Sequence, residues 1–170
     1  MKILVFSDSH GKSKAISESI RLHMNNDGVD HIFFLGDGLR DFLSVMEEFP
    51  CIPYNFTAGN CDFGIVLTDE VKRKMARGLI EVGNKKFLIM HGHTHDVKNS
   101  YQRAVDYAIE MGADVLLFGH THWAFDETLD GSFEGYVRAI NPGSCGRSVN
   151  PTYALINLVG GQIVCGFGKV

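Results

Sequence analysis

The chain has 170 residues, 45% of them apolar and 21% charged, with a net charge of -4. This is globular composition, which excludes a disordered or collagen-like chain, and the length suits a single domain over residues 1–170 with a sizeable core. No apolar run approaches the roughly 20 residues that cross a bilayer, and no basic run offers an electrostatic nucleic-acid surface, so neither a membrane nor a sequence-specific nucleic-acid partner is expected.

The first residues lack the charged, apolar and small-residue segments of a signal peptide, which makes the cytoplasm the expected location. The four cysteines, Cys51, Cys61, Cys145 and Cys165, show no C-x-x-C spacing and read as free thiols. Cys51, Cys145 and Cys165 are expected to be small core residues.

Lys2–Phe6 reads as a buried strand that stops at Ser7-Asp8-Ser9-His10-Gly11. Ser13 is expected to cap a helix running to Met24, with Ile16, Ile20 and Met24 on one face. His31–Leu35 is a second buried strand, followed by Gly36-Asp37-Gly38, and a helix from Asp41 to Phe49 returns the chain. Strand, helix, strand is a β-α-β unit, so the sheet begins with parallel strands. Pro50 and Pro53 flank an extended segment into Tyr54–Ala58, and Gly59-Asn60-Cys61-Asp62 follows. The basic segment Val71–Arg77 reads as a solvated strand or flap.

Leu79–Val82 and Lys86–Met90 form a hairpin around Gly83-Asn84, ending at His91-Gly92-His93-Thr94-His95. A helix from Tyr101 to Met111 stops at Gly112. Asp114–Phe118 is a further buried strand, ended by Gly119-His120-Thr121-His122. Trp123–Leu129 and Tyr136–Ile140 flank a turn at Asp130-Gly131, and Asn141-Pro142-Gly143-Ser144 is a loop bracing what lies beside it. Tyr153–Leu158 and Gln162–Phe167 flank Gly160-Gly161.

Glycine is abundant, at 19 residues, and five of the 8 histidines lie between His91 and His122. The polar residues recur at the carboxyl ends of the expected strands: Asp8, His10, Asp37, Asn60, His91, His120 and His122. In α/β sheets that edge is where ligands bind. Two carboxylates, one amide oxygen and four imidazoles suit borderline divalent ions, with manganese expected and nickel, zinc, iron or cobalt also compatible. Seven donors exceed the needs of one ion with an open position but match two ions sharing a carboxylate, the arrangement that hydrolyses phosphate esters through a bridging hydroxide. Two such ions also supply the positive charge that the side chains lack.

These motifs, Asp8-Ser9-His10, Gly36-Asp37, Gly59-Asn60-Cys61-Asp62, His91-Gly92-His93, Gly119-His120-Thr121-His122 and Asn141-Pro142-Gly143-Ser144, occur in an order that resembles the calcineurin-like metallophosphoesterases, specifically the small YfcE-type phosphodiesterases. The resemblance spans nearly the whole chain. It implies an α/β (α+β) fold, a four-layer αββα sandwich of two mixed sheets flanked by helices. It also implies a division of ligands: Asp8, His10 and His122 on the first metal, Asn60, His91 and His120 on the second, and Asp37 between them. The wider superfamily has a histidine where this chain has Cys61; a neutral thiol protonates an alkoxide poorly, which points away from monoesters.

The expected activity is that of a two-metal phosphodiesterase acting on a small phosphodiester. Asp37, His91 and His120 form its catalytic core, and Cys61 and His93 lie near the substrate. The alternatives are a phosphomonoesterase and a non-catalytic protein-binding scaffold of the same fold, which would have no use for four converging histidines. His120 and His122, separated by one residue, point the same way if the segment is extended, which is compatible with two adjacent metals. His95 reads as a rim residue, His23 and His31 as ordinary structural residues, and Arg147 as a phosphate contact or a solvated arginine. A homodimer is the default assembly.

Overall fold

The computed structural model describes residues 1–170. Strand β1 (Lys2–Phe6) leads through helix α1 (Ser13–Met24) to β2 (His31–Phe34), and α2 (Leu39–Met46) leads to β3 (Tyr54–Phe56). A short helix, α3 (Asp69–Arg73), precedes β4 (Leu79–Val82) and β5 (Lys85–Met90). Helix α4 (Gln102–Glu110) then leads to β6 (Val115–Phe118), and β7 (Ala124–Asp130), β8 (Tyr136–Pro142), β9 (Thr152–Val159) and β10 (Gln162–Lys169) complete the chain.

The strands form two five-stranded sheets, in the orders β10-β9-β1-β2-β3 and β4-β5-β6-β8-β7. Both are mixed. In the first, β1, β2 and β3 run parallel while β9 and β10 are antiparallel. In the second, β5, β6 and β8 are parallel and β4 and β7 antiparallel.

The alternation of side chains along the central strands builds the layers. Ile3 and Val5 of β1 point inward, to a core between the sheets that includes Phe33, Phe87, Val115 and Leu117. Leu4 and Phe6 point outward, to a second core with Ile16 and Ile20 of α1 and Phe42 of α2. On the far side, Leu116 and Phe118 of β6 pack with Ala104, Val105 and Ala108 of α4. Three cores between four layers give the αββα sandwich. Both faces of β1, β2 and β6 are covered, which is why these strands read as unbroken apolar runs. Phe6, Phe33, Phe87 and Phe118 are fully buried, and truncating any one to alanine would cost about 3–5 kcal/mol.

Several boundaries differ from the sequence reading for identifiable reasons. Ser13 is the first helical residue rather than the cap; the Ala15 N–H already bonds to the Lys12 carbonyl at 3.1 Å, so the turn starts one residue earlier. Helix α2 starts at Leu39, not Asp41, because the carboxylate of Asp62 accepts the Gly38 and Leu39 N–H groups and caps it from outside the helix. Val71–Arg77 is neither strand nor flap: α3 occupies its first residues, capped by Thr68 accepting the Val71 N–H. Asn141 and Pro142 belong to β8, paired with Phe125 and Ala124, rather than to a loop. Cys145 is buried, but Cys51 is exposed and Cys165 only half-buried. No helix is long and apolar enough to cross a membrane.

Candidate metal centre

The carboxyl ends of β1, β2 and β3 in one sheet and of β5 and β6 in the other open on the same edge. Backbone hydrogen bonds lock these ends together: the Asp8 N–H donates to Gly36, the His10 N–H to Asp37, and the Gly119 N–H to His91. At this edge the chain turns sharply. Asp8, His10, Asp37, His120 and His122 all have positive φ, between 44° and 68°. Non-glycine residues rarely adopt that conformation, and each such position costs of order 1 kcal/mol or more. Such strain concentrated on polar residues at one edge marks a functional site.

The structure brings all seven sequence-identified residues together in two adjoining groups. In the first, Asp8, His10 and His122 place their ligand atoms within 4.8 Å of one another. Asp8 Oδ1 lies 3.1 Å from His122 Nε2 and 3.8 Å from His10 Nε2. In the second group, Asp37, His91 and His120 converge within the same limit. His91 Nε2 is 3.1 Å from His120 Nδ1, 3.2 Å from Asn60 Oδ1 and 3.5 Å from Asp37 Oδ2.

Asp37 joins the two groups through one atom. Its Oδ2 is 3.9 Å from His10 Nε2 as well as 3.5 Å from His91 Nε2. Its Oδ1 is turned away and accepts the Cys61 N–H at 2.8 Å.

The protonation pattern suits cation binding. The His91 Nδ1–H donates to the Leu35 carbonyl at 2.8 Å, which fixes the tautomer and leaves the Nε2 lone pair facing Asn60 and His120. Burial, reinforced by the fields of His91 and Lys98, holds His120 down at about 4, so its ring is neutral at pH 7. For Asp8, burial pushes the pKa up, but hydrogen bonds from His122 and Ser7 outweigh it and keep the carboxylate below its ordinary range. The same Asp8 contact raises the pKa of His122.

A divalent ion fits what the atoms of the first group lack. Asp8 Oδ1, which has only the His122 ring nitrogen 3.1 Å away, and His10 Nε2 are buried without a well-formed hydrogen bond, an arrangement that is costly unless a cation sits against them. At 3.1 Å apart, the donor atoms of His91 and His120, and those of Asp8 and His122, are close enough for each pair to hold a single ion.

A supporting shell holds these residues. The Asp62 carboxylate accepts four backbone N–H groups, from Asp37, Gly38, Leu39 and Gly59. Asp8 Oδ2 accepts from the Ser7 hydroxyl and the His120 N–H. The Asn141 amide donates to the Gly119 carbonyl and the Thr121 hydroxyl, and the Ser144 hydroxyl donates to the Asp8 carbonyl. Gly59 is required by contact: a Cβ there would lie 2.1 Å from Asp37 Oδ1.

Sequence reasoning did not single out Ser7, Asp41 or Asp62 individually. Asp62 had a signal, since it closes the Gly59–Asp62 motif. Asp41, which accepts from the Ser9 hydroxyl and the Gly11 N–H, had none, because its partners are about 30 residues away in sequence.

Four further residues lie around this set. Cys61 is exposed, and its sulfur lies within 4.8 Å of ligand atoms of His10 and Asp37. A hydrogen bond to Asp37, then burial, raises its thiol pKa, so it is neutral at pH 7. His93 is exposed with its ring 5.4 Å from that of His91. His95 turns away and stacks on Tyr107, and Arg147 is exposed beside His122. The backbone at His120–His122 is not extended, so the condition for the two side chains to point the same way is not met. Both residues have positive φ, and their rings enter different groups.

Comparison with known proteins agrees with this geometry. Residues 1–161 match the calcineurin-like phosphoesterase superfamily domain. A probable metallophosphoesterase of Mycoplasma pneumoniae is 35% identical over 171 aligned positions, covering 95% of this chain and 92% of its own. The solved structure of an archaeal phosphodiesterase superposes with a TM-score of 0.66 at 27% identity, over 98% of this chain and 99% of that one. The Vacuolar protein sorting-associated protein 29 of Schizosaccharomyces pombe is also similar, 25% identical over 96% of this chain and 88% of its own. The chain therefore belongs to the calcineurin-like phosphoesterase superfamily and is a metal-dependent phosphoesterase.

Proposed function

We propose that the protein is a two-metal phosphodiesterase, with Asp8, His10 and His122 holding one ion, Asn60, His91 and His120 the other, and Asp37 bridging. The observation that carries this reading is the position of Asp37 Oδ2, within 3.9 Å of His10 Nε2 and 3.5 Å of His91 Nε2, while Oδ1 is occupied by a backbone N–H. One oxygen is thereby presented to both groups. Manganese is the first candidate for a set of nitrogen and oxygen donors without a required thiolate.

When bound, two such ions supply positive charge to the phosphate oxygens and activate a water molecule near neutral pH. The chain's own residues do the rest. Asp62 holds the Gly36–Leu39 turn so that Asp37 is fixed before substrate arrives. Leu35 fixes His91 as a nitrogen donor. His93, exposed next to His91, stands where a phosphate oxygen can be met. Cys61 offers only a neutral thiol to a departing alkoxide, so leaving groups that depart without a proton are favoured, which selects activated diesters over alkyl monoesters.

The test is a panel of phosphodiesters and phosphomonoesters assayed on metal-stripped protein with each divalent ion restored in turn. The expected result is diesterase activity that returns with two ions per chain. Preference for monoesters would support a monoesterase instead. Two bound ions without turnover of any ester would favour the scaffold reading, which the similarity to the yeast sorting protein keeps in play.

A further inference from the structure

Trp123 is the single tryptophan of the chain and follows His122 directly. Its side chain is 77% exposed at the lip of the metal centre, although a ring of this size buries 150–250 Å² when it finds a partner. Trp123 lines two clefts. One, of 580 Å³, also has Lys98, Ser100, Tyr101 and Thr121 in its lining. The other, of 560 Å³, runs past His122 to Arg147, Ser148 and Asn150. Both volumes fall in the range of small-molecule sites, roughly 300–1,000 Å³.

Each cleft combines Trp123 with one cation and several hydroxyl or amide groups. The cations are not remote from the chemistry. Lys98 shares its cleft with Thr121, which lies between His120 and His122 in the chain, and Arg147 shares the other with His122 itself. In a chain of net charge -4, two cations flanking a ring beside the metal ligands are a local exception to the overall balance. A flat ring beside cations is the pattern that receives a nucleobase next to a phosphate, because every base has a π-face and its phosphate needs a positive partner.

We propose that Trp123 is a stacking platform for a nucleobase and that Lys98 and Arg147 receive phosphate oxygens of the same ligand, so that the substrates are nucleotide-derived phosphodiesters. The substrate half of this statement rests on the phosphodiesterase reading above; the nucleobase platform does not. Specificity on this account comes from one arm of the diester, and the metal centre remains indifferent to it.

Two measurements on the metal-loaded protein test the proposal. Trp123 is the only tryptophan, so its fluorescence reports on the platform alone. Adenosine 5′-monophosphate is expected to quench it saturably and to bind at least about tenfold more tightly than ribose 5-phosphate, a difference of about 1.4 kcal/mol. By calorimetry, Trp123→Ala should lose that advantage with ribose 5-phosphate unchanged, Trp123→Phe should retain most of it, and Lys98→Ala should weaken both ligands. The second measurement compares thymidine 5′-(p-nitrophenyl phosphate) with methyl p-nitrophenyl phosphate, which share a leaving group. Trp123→Ala should raise KM about tenfold for the first and less than about threefold for the second, with metal content unchanged.

Equal affinity of the wild type for the two monophosphates, or undiminished nucleotide binding in Trp123→Ala, would overturn the platform. If the wild type instead hydrolyses only p-nitrophenyl phosphate and neither diester, the diesterase reading fails, and the fluorescence titration still decides the role of Trp123.

Discussion

The carboxylate of Asp62 accepts the backbone N–H of Asp37 at 2.8 Å, and its two oxygens also accept those of Gly38, Leu39 and Gly59 at 2.8–2.9 Å. Asp62 thus ties the turn after β2 to the turn after β3. Bonds to an ionised acceptor are the stronger kind, about 1.5–3 kcal/mol each in mutational series, though four on one group do not add fully. Asp62→Ala is expected to lower unfolding stability by about 2–4 kcal/mol and to weaken metal binding about tenfold or more through the displaced Asp37. Asp62→Asn, which keeps one acceptor oxygen, should fall between. Denaturant unfolding and metal titration measure the two effects, and unchanged metal affinity in the alanine variant would show that Asp37 holds its position without this support.

The grouping of donors predicts which ion each substitution disturbs. Asp8→Ala and His122→Ala should first empty the site they share with His10. Asn60→Ala and His91→Ala should first empty the other. Asp37→Asn should reduce occupancy of both and abolish turnover with the fold intact, because one oxygen faces both groups. Elemental analysis at limiting metal reads the outcome. Loss of the same ion from all four single-site variants would refute the division, and an Asp37→Asn enzyme with two ions and a near-normal rate would refute the bridge.

Much of this site was legible in the sequence because chemistry-bearing residues at strand ends are a one-dimensional signal. Apolar runs such as Lys2–Phe6 and Val115–Phe118 locate the ends, and Asp8, Asp37, His91 and His120 follow them within a few residues. The backbone at those residues was not legible. Aspartate and histidine adopt positive φ more often than most non-glycine residues, but still in a minority of cases, so Gly119–His122 does not by itself distinguish a sharp turn from an extended segment, and the structure has the turn. The start of α2 was misplaced for a related reason: its cap is Asp62, more than 20 residues away, and local capping rules see only neighbours.

That strained backbone yields a stability prediction. At His122, with φ of 65°, glycine adopts the native conformation freely and alanine does not. Both His122→Gly and His122→Ala should lose the same ion, but the metal-free glycine variant should be more stable than the alanine variant by about 1 kcal/mol. Ordinarily glycine is the less stable of the two. Urea unfolding in chelator gives the comparison, and an alanine variant of equal or greater stability would mean that the turn relaxes when the imidazole is removed.

His31 sets a pH dependence away from the metal ligands. It is buried at the start of β2, with Nε2 3.2 Å from Asn55 Oδ1, and burial pushes its pKa down to about 4. In the unfolded chain the value is about 6.5. Between these values the unfolded state binds more protons, so stability rises with pH across this window. The contribution is fully present above about 6.5 and is lost as pH falls through 4. By pH 5 roughly 2 kcal/mol of it should be gone relative to pH 7.5. His31→Gln has no such titration. In metal-free buffer, the difference in unfolding free energy between wild type and His31→Gln should therefore narrow by about that amount on acidification, and parallel curves would exclude His31 as the source.

Cys61 decides between a bystander and a participant. Its thiol is exposed, is neutral at pH 7, and has its sulfur within 4.8 Å of ligand atoms of His10 and Asp37. In the proposed reaction the thiol neither attacks phosphorus nor holds a metal. Cys61→Ala should then keep two ions and leave turnover of a nitrophenyl diester within about tenfold of wild type, or about 1.4 kcal/mol of barrier. An alkyl monoester is different, because its leaving group needs a proton and general-acid assistance is typically worth about 10²–10⁴. Cys61→His should raise monoesterase relative to diesterase activity by placing a protonatable ring near the leaving group. Rates for the three forms on one diester and one monoester, with metal content measured alongside, separate the cases. An alanine variant that loses an ion would make the sulfur a ligand, and one that keeps both ions but loses all diesterase activity would make the thiol part of the chemistry.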